Sequence, residues 1–308
     1  MAARYLIIGA SGFVGRRLFS VLGPANAVAT YHNRTVEGGI AFDAAGMRLA
    51  DTVLKQHRNL THAFILLGVT NIDACARDPR GTAGVNVAGT QRVIDDLVAA
   101  GVVPVFASSD AVFDGSRGMW AEDDMPNPIL TYGRQKLEVE RYLCRATPSG
   151  LVLRLAKVIG SAPGGNELLG GWVSKLESGA RIRCAHDQVF SPLTVDDAVA
   201  ACVKLAEAGH TGTFHVCGPR PVTRIGLLRM LVEELGRYRE LAPQIEECSL
   251  RDFPFVEPRP LDTSMSPRKL YAALGRGFED LRETCRSFAA ARHAESSALK
   301  STGRASPH

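Results

Sequence analysis

The stretch from Arg4 to Gly23, "RYLIIGASGFVGRRLFSVLG", constrains the fold more than any other part of the chain. A short apolar run ends in glycines at Gly9, Gly12 and Gly15, and apolar residues at helical spacing follow at once. A strand that turns on glycines into a helix is the opening of a nucleotide-binding βαβ unit. Gly9 permits the tight turn, Gly12 leaves room for an anion against the backbone, and Gly15 lets helix and strand approach. The helix start then offers free N–H groups and partial positive charge to a diphosphate. Ser11, Phe13 and Val14 complete the cradle. A plain Gly-rich turn is the competing reading, and the strand before and helix after argue against it.

The same rhythm continues. "NAVATYH" (26–32), "HAFILLG" (62–68), "VVPVFASS" (102–109) and "LVLRLAKVIG" (151–160) read as buried strands, with helical patterns between them at 84–101 and from near Ile129 to 146. Repeated strand–helix–strand units predict an α/β fold: a Rossmann-type doubly wound parallel sheet, covered on both faces. After residue 160 the pattern loosens. Gly and Pro cluster at 160–171, and helices at 195–209 and 224–236 flank a strand-like 212–218. The expected organisation is a nucleotide-binding domain over 1–160, a smaller substrate-binding lobe over 161–275 with part returning to the sheet, and a C-terminal helix or tail over 276–308. Residues 287–308 have almost no large apolar side chains and are expected to be poorly ordered.

The end of the second strand selects the nucleotide. It reads "TYHNR" (30–34), without the carboxylate that holds a ribose 2′-hydroxyl in NAD sites. His32, Asn33 and Arg34 suit a 2′-phosphate instead, Arg34 by its planar fork of donors. The expected cofactor is NADP(H).

Composition excludes several classes. The 308 residues carry a net charge of +4 without a Lys/Arg block, which argues against nucleic acid. No apolar run approaches the ~20 residues of a membrane helix. The N-terminus reads as a first strand and not as a signal peptide. Seven cysteines without a CxxC suggest buried thiols in a reducing cytoplasm, with neither a metal site nor a disulfide framework.

Tyr132 and Lys136 are four residues apart, so a helix places them on one face. Ser108 and Ser109 end the strand at 102–109, which opens on the same crevice as the cradle. The three residue types can therefore converge beside a bound dinucleotide.

GxxGxxG, an upstream Ser and YxxxK together resemble the extended short-chain dehydrogenase/reductase superfamily. "SSDAVFDGSRGMWAEDDMPNPILTYGRQKLE" is similar to the corresponding segment of its dTDP-4-dehydrorhamnose reductases. "VNVAGT" (85–90), "DQVFSPLTVDDAV" (187–199), "GTFHVCG" (212–218) and "EPRPLDTSMSPRKL" (257–270) extend the resemblance over about residues 5 to 275. It implies NADPH-dependent reduction of a nucleotide-activated 4-keto sugar. Tyr132 would give the proton, Lys136 would lower the phenol's pKa and hold the nicotinamide ribose, and Ser109 would polarise the carbonyl. Asn86 would order the site, and Asp43 would lie at the adenine. Ser108, Asp110, Lys157 and Trp172 are the expected substrate contacts.

The chain departs from the family at Ala111, where an aromatic is usual, and at Lys157 and Ile159, which stand where the family has Trp and Tyr. Lys157 can pair with a diphosphate or a carboxylate; Trp172 can stack on the substrate or belong to the core. A nucleotide-sugar epimerase or dehydratase, and a non-catalytic NADP-binding regulatory subunit, are the alternative functions. A homodimer is the assembly that the resemblance implies.

Overall fold

The computed structural model describes residues 4–160 and 168–302. Seven strands form one sheet: β1 (Tyr5–Ile8), β2 (Ala27–Tyr31), β3 (Ile40–Ala41), β4 (His62–Ile65), β5 (Val103–Ser109), β6 (Leu151–Leu155) and β7 (Gly212–Val216). Their order is β7-β6-β5-β4-β1-β2-β3, and every neighbouring pair is parallel. The strand order reverses between β1 and β4, and this switch point opens a crevice at the carboxyl ends of the strands.

The main helices are α1 (Phe13–Leu22), α2 (Thr90–Ala99), α3 (Thr131–Ala146), α4 (Leu168–Glu177), α5 (Val195–Glu207), α6 (Arg224–Gly236) and α7 (Leu281–Thr302). Side chains of β1 alternate between the two faces of the sheet. Tyr5 and Ile7 join the core under α1 and α5, with Leu18, Ala198 and Leu205. Leu6 and Ile8 join the core under α2 and α3, with Ile94, Leu97, Val139 and Leu143. Burial on both faces explains why the strands read as continuous apolar runs.

The helix expected at 84–101 begins as a π-helical stretch, Gly84–Gly89, that carries Asn86 before α2 starts. The start of α3 falls at Thr131, two residues beyond the expected position. Pro126 and Pro128 keep the preceding chain extended, and Glu257 accepts the Thr131 N–H at 3.0 Å and its hydroxyl at 2.7 Å. A carboxylate at a helix start is favoured by the helix dipole.

A further core gathers α4, α6 and α7 with two short strand pairs, Ile182–Ala185 with Ile245–Cys248 and Val189–Phe190 with Val222–Thr223. The expectation of a poorly ordered tail from 287 is corrected here for residues 287–302. Leu281, Cys285, Phe288 and Ala289 recur at helical spacing and are all buried in this core, so residues to 302 are helical. Their anchors are few, and Cys and Ala weigh little in a composition reading. The Gly/Pro cluster at 161–167 and residues 303–308 lie outside the described residues. Among the described residues no helix is long and apolar enough to cross a membrane.

Candidate active site

A cleft of about 1000 Å³ opens where the strands reverse order, lined by the glycine turn, the ends of β2, β5 and β6, and α3. Gly9 has a φ of +96°, and a Cβ there would stand 2.9 Å from the Leu66 carbonyl carbon at the end of β4. A Cβ on Gly15 would stand 2.4 Å from the Gly9 carbonyl oxygen, so α1 and β1 approach as closely as backbone permits. Gly12 differs. Its Cβ would meet only the Gly9 oxygen at 3.4 Å and would otherwise project into open space. Gly12 also caps α1, no side chain caps that end, and the first turn has no acidic residue. The uncapped N–H groups and the bare backbone together fit a diphosphate. Ser11, Phe13 and Val14 line the same wall.

His32, Asn33 and Arg34 are exposed at the end of β2 and line the cleft, as does Asp43. Asp43 also holds its own turn, accepting the Ala45 N–H at 2.9 Å.

Ser109, Tyr132 and Lys136 line the same cleft. Lys136 is buried, donates from Nζ to the Ala107 carbonyl at 2.8 Å and lies 4.6 Å from the Phe106 ring centroid. Burial lowers its ammonium to about 8, with Glu140 and Cys75 pulling upward. Tyr132 is buried as well, and its phenol is pushed above the ordinary range, first by burial and then by the Asp110 charge. The expected lowering of the phenol by Lys136 is therefore not what this arrangement gives. The ammonium is itself desolvated, is tied to Ala107, and sits 5.8 Å from the phenol ring centroid.

Ser109 donates to Asp110 Oδ1 at 3.0 Å and accepts the Ala111 N–H at 3.2 Å. The Thr263 hydroxyl donates to Asp110 Oδ2 at 3.1 Å. Burial raises the Asp110 carboxyl, while both hydroxyls and the Lys157 charge oppose the rise. Asp110 and Lys157 thus share the cleft wall, as the sequence suggests.

Two expected substrate contacts, Ser108 and Trp172, fare differently. Ser108 is buried at 3% exposure, and its hydroxyl donates to Glu140 beneath the site. Ser108 nonetheless lines the cleft beside Ser109. Trp172 is the one corrected: it is buried on α4 in the core shared with α6 and α7, under the Arg224 guanidinium, and is not part of the cleft wall.

Asn86 is buried, and its amide makes four hydrogen bonds, one of them to Cys75 Sγ at 3.7 Å. It accepts the Val69 N–H at 2.7 Å, donates to the Val69 carbonyl at 3.0 Å and donates to Gln135 Oε1 at 2.7 Å. It fixes the loop after β4 against α3, next to Lys136. Gln135 is one residue that sequence reasoning missed. Others are Glu140, Arg154, Thr263, Arg259 and Arg224. Glu140 had a signal, its four-residue spacing from Lys136; Thr263 and Arg259 lie in motifs that supplied resemblance and no role.

Residues 3–293 match the RmlD substrate binding domain family. A probable low-salt glycan biosynthesis reductase, Agl14, of Haloferax volcanii is 31% identical over 67% of this chain and 69% of its own length. A dTDP-4-dehydrorhamnose reductase of Aggregatibacter actinomycetemcomitans is 24% identical, covering 89% of this chain and 94% of the relative. Methionine adenosyltransferase 2 subunit beta of Bos taurus is 27% identical over 72% and 69%. The solved dTDP-4-dehydrorhamnose reductase of Bacillus anthracis in complex with NADP shares the fold, with a TM-score of 0.80 at 20% identity over 94% of this chain and 99% of that one.

Proposed function

The chain belongs to the RmlD substrate binding domain family, and on that premise we propose that it is an NADPH-dependent reductase of a nucleotide-activated 4-keto sugar. One observation carries the reading: Ser109, Tyr132 and Lys136 converge on the cleft that also holds the glycine cradle and Arg34. The dTDP-4-dehydrorhamnose reductase among its relatives supports the substrate class, and the neighbour in complex with NADP supports the cofactor.

NADPH, when bound, supplies the hydride. The cradle from Gly9 to Gly15 holds its diphosphate, His32, Asn33 and Arg34 its 2′-phosphate, and Asp43 its adenine end. Tyr132 gives the proton to the alkoxide oxygen. Its raised pKa keeps the phenol protonated at neutral pH, ready to donate. Lys136 orients the cofactor ribose. Ser109 swings its hydroxyl from Asp110 to the carbonyl oxygen and polarises it. Asp110 and Lys157 contact the sugar. In this reading residues 1–160 serve the cofactor and 161–275 chiefly the substrate.

The test is NADPH consumption with a panel of dTDP-, UDP- and GDP-linked 4-keto sugars. Turnover of one of them, lost in Tyr132→Phe, is the expected result. A second reading, an NADP-binding regulatory subunit, is favoured by the similarity to methionine adenosyltransferase 2 subunit beta. Tight NADPH binding with no turnover on any sugar would select it.

A further inference from the structure

Three cations line the substrate half of the cleft: Lys157, Arg224 and Arg259. Two of them have an acid at hand. Arg259 pairs with Asp73 at 2.5 Å, and Lys157 lies within electrostatic reach of Asp110. Arg224 does not. Its guanidinium donates to the Gln188 side-chain oxygen at a long 3.4 Å and covers the Trp172 ring at 5.5 Å from the centroid. Among the described residues no carboxylate forms an ion pair with it.

Its position is nonetheless fixed from several sides. The Thr223 hydroxyl accepts the Gly226 N–H at 3.0 Å and caps α6, and the Arg224 N–H donates to the Gln188 carbonyl at 2.8 Å. The pairing of Thr223 with Val189 holds that corner against the lobe, and Trp172 supports the guanidinium from the core of α4, α6 and α7. Withdrawing a guanidinium from water without a counter-charge is unfavourable, and a fold keeps such an arrangement when a ligand brings the anion. Burial indeed weakens this cation's hold on its proton relative to a free arginine.

We propose that Arg224, held on Trp172, is the anion anchor of the substrate half of the cleft and takes an oxyanion group of the substrate. That group is either the diphosphate of the nucleotide or a carboxylate on its sugar; both present paired oxygens to the guanidinium fork. The proposal rests on the nucleotide-sugar reading of the cleft, and its test separates the two. A carboxylate source makes Arg224 a specificity residue for uronate sugars, and a diphosphate source makes it indifferent to the sugar.

The experiment is calorimetric titration of the full chain, saturated with NADPH, with inorganic pyrophosphate, UDP, dTDP, UDP-glucose and UDP-glucuronic acid. Wild type is compared with Arg224→Gln and with the charge-retaining Arg224→Lys, after melting curves establish that both variants fold. The expected result is a loss of at least about ten-fold in affinity in Arg224→Gln, partly restored in Arg224→Lys, with NADPH affinity unchanged in both. A loss shared by UDP and both sugars assigns the diphosphate; a loss confined to UDP-glucuronic acid assigns the carboxylate. Arg224-dependent binding of pyrophosphate with no binding of any nucleotide rejects the nucleotide-sugar reading and leaves the anchor standing. Nucleotide binding that is equally tight in Arg224→Gln overturns the anchor and leaves the nucleotide-sugar reading standing. Absence of binding by all five probes overturns both.

Discussion

Lys136 and Glu140 lie one helical turn apart on α3 and are joined through a single peptide of β5. Lys136 Nζ donates to the Ala107 carbonyl at 2.8 Å, and the hydroxyl of the next residue, Ser108, donates to Glu140. Glu140 is 4% exposed and is held by Arg154 of β6, whose Nη2 reaches it at 2.8 Å and Nε at 3.1 Å. Arg154 in turn contacts His215 of β7 at 3.3 Å, a ring that burial lowers to about 3 and so keeps neutral. The site lysine therefore rests on a buried ion pair that ties α3 to three strands.

This relationship sets a pH dependence. Lys136 faces Glu140 on its own helix, Tyr132 one turn before it, and Cys75 from the neighbouring segment Ile72–Arg77. Burial depresses the ammonium to about 8 and the Glu140 charge raises it. Activity that needs the ammonium is present below that value and is lost as pH rises through it. Removing the carboxylate lowers the value further, so the alkaline limb of kcat/KM moves to lower pH. Glu140→Gln alone strands a buried guanidinium, at a cost of about 3–5 kcal/mol. The paired change Glu140→Gln with Arg154→Met leaves no stranded charge and is the variant to titrate. An alkaline limb at the wild-type position in that double variant would show that Glu140 has no influence on the lysine.

Tyr132→Phe removes the proposed proton donor and its side-chain interaction with Ser109. The phenol is buried, and the ring keeps its packing against Leu130 and Ala111. The expected loss in kcat is about 10²- to 10⁴-fold, the range for general acid catalysis, with NADPH affinity and melting temperature retained. A loss of NADPH affinity in step with kcat would point instead to a binding role for the phenol.

The fold was legible because its two strongest signals, the glycine turn and the alternation of strand with helix, are local. The glycine turn, Ser109, Tyr132 and Lys136 stand out for the same reason, since each is announced by spacing along one segment, and all of them line the cleft. A serine pair at a strand end does not say which hydroxyl is already engaged; both serines line the cleft, and the structure gives the Ser108 hydroxyl to Glu140. Arg224, Arg259 and Thr263 come to the cleft from segments that are distant in the chain, so no local pattern marked them. The phenol's pKa was misjudged because charge proximity can be guessed from a helix and desolvation cannot.

Arg34 is exposed on the cleft rim, so Arg34→Ala is expected to leave stability within about 0.5 kcal/mol of wild type. A charge-assisted hydrogen bond to a phosphate contributes about 1.5–3 kcal/mol, so KM for NADPH should rise ten-fold or more while KM for NADH hardly changes. Steady-state kinetics with both cofactors decides it. Equal effects on the two would remove Arg34 from the 2′-phosphate and leave NADP selectivity without its main support.

Two glycines of the cradle make opposite demands, and alanine separates them. At Gly15 the added Cβ would lie 2.4 Å from the Gly9 oxygen and 2.9 Å from the Ala10 Cα, both backbone atoms that cannot step aside. Gly15→Ala must push α1 off β1, with an expected destabilisation of about 1–3 kcal/mol, typical of overpacking, and a lower melting temperature with or without cofactor. At Gly12 the nearest atom would be 3.4 Å away, an ordinary contact, and the methyl would project over the uncapped start of α1. Gly12→Ala should melt close to wild type yet bind NADPH at least about ten-fold more weakly, because the methyl takes the space an anion needs against the N–H groups. Melting curves and NADPH titration on the two variants give the comparison. A Gly12→Ala protein that binds NADPH as tightly as wild type would mean that the diphosphate lies elsewhere, and the assignment of this turn as the cradle would fall with it.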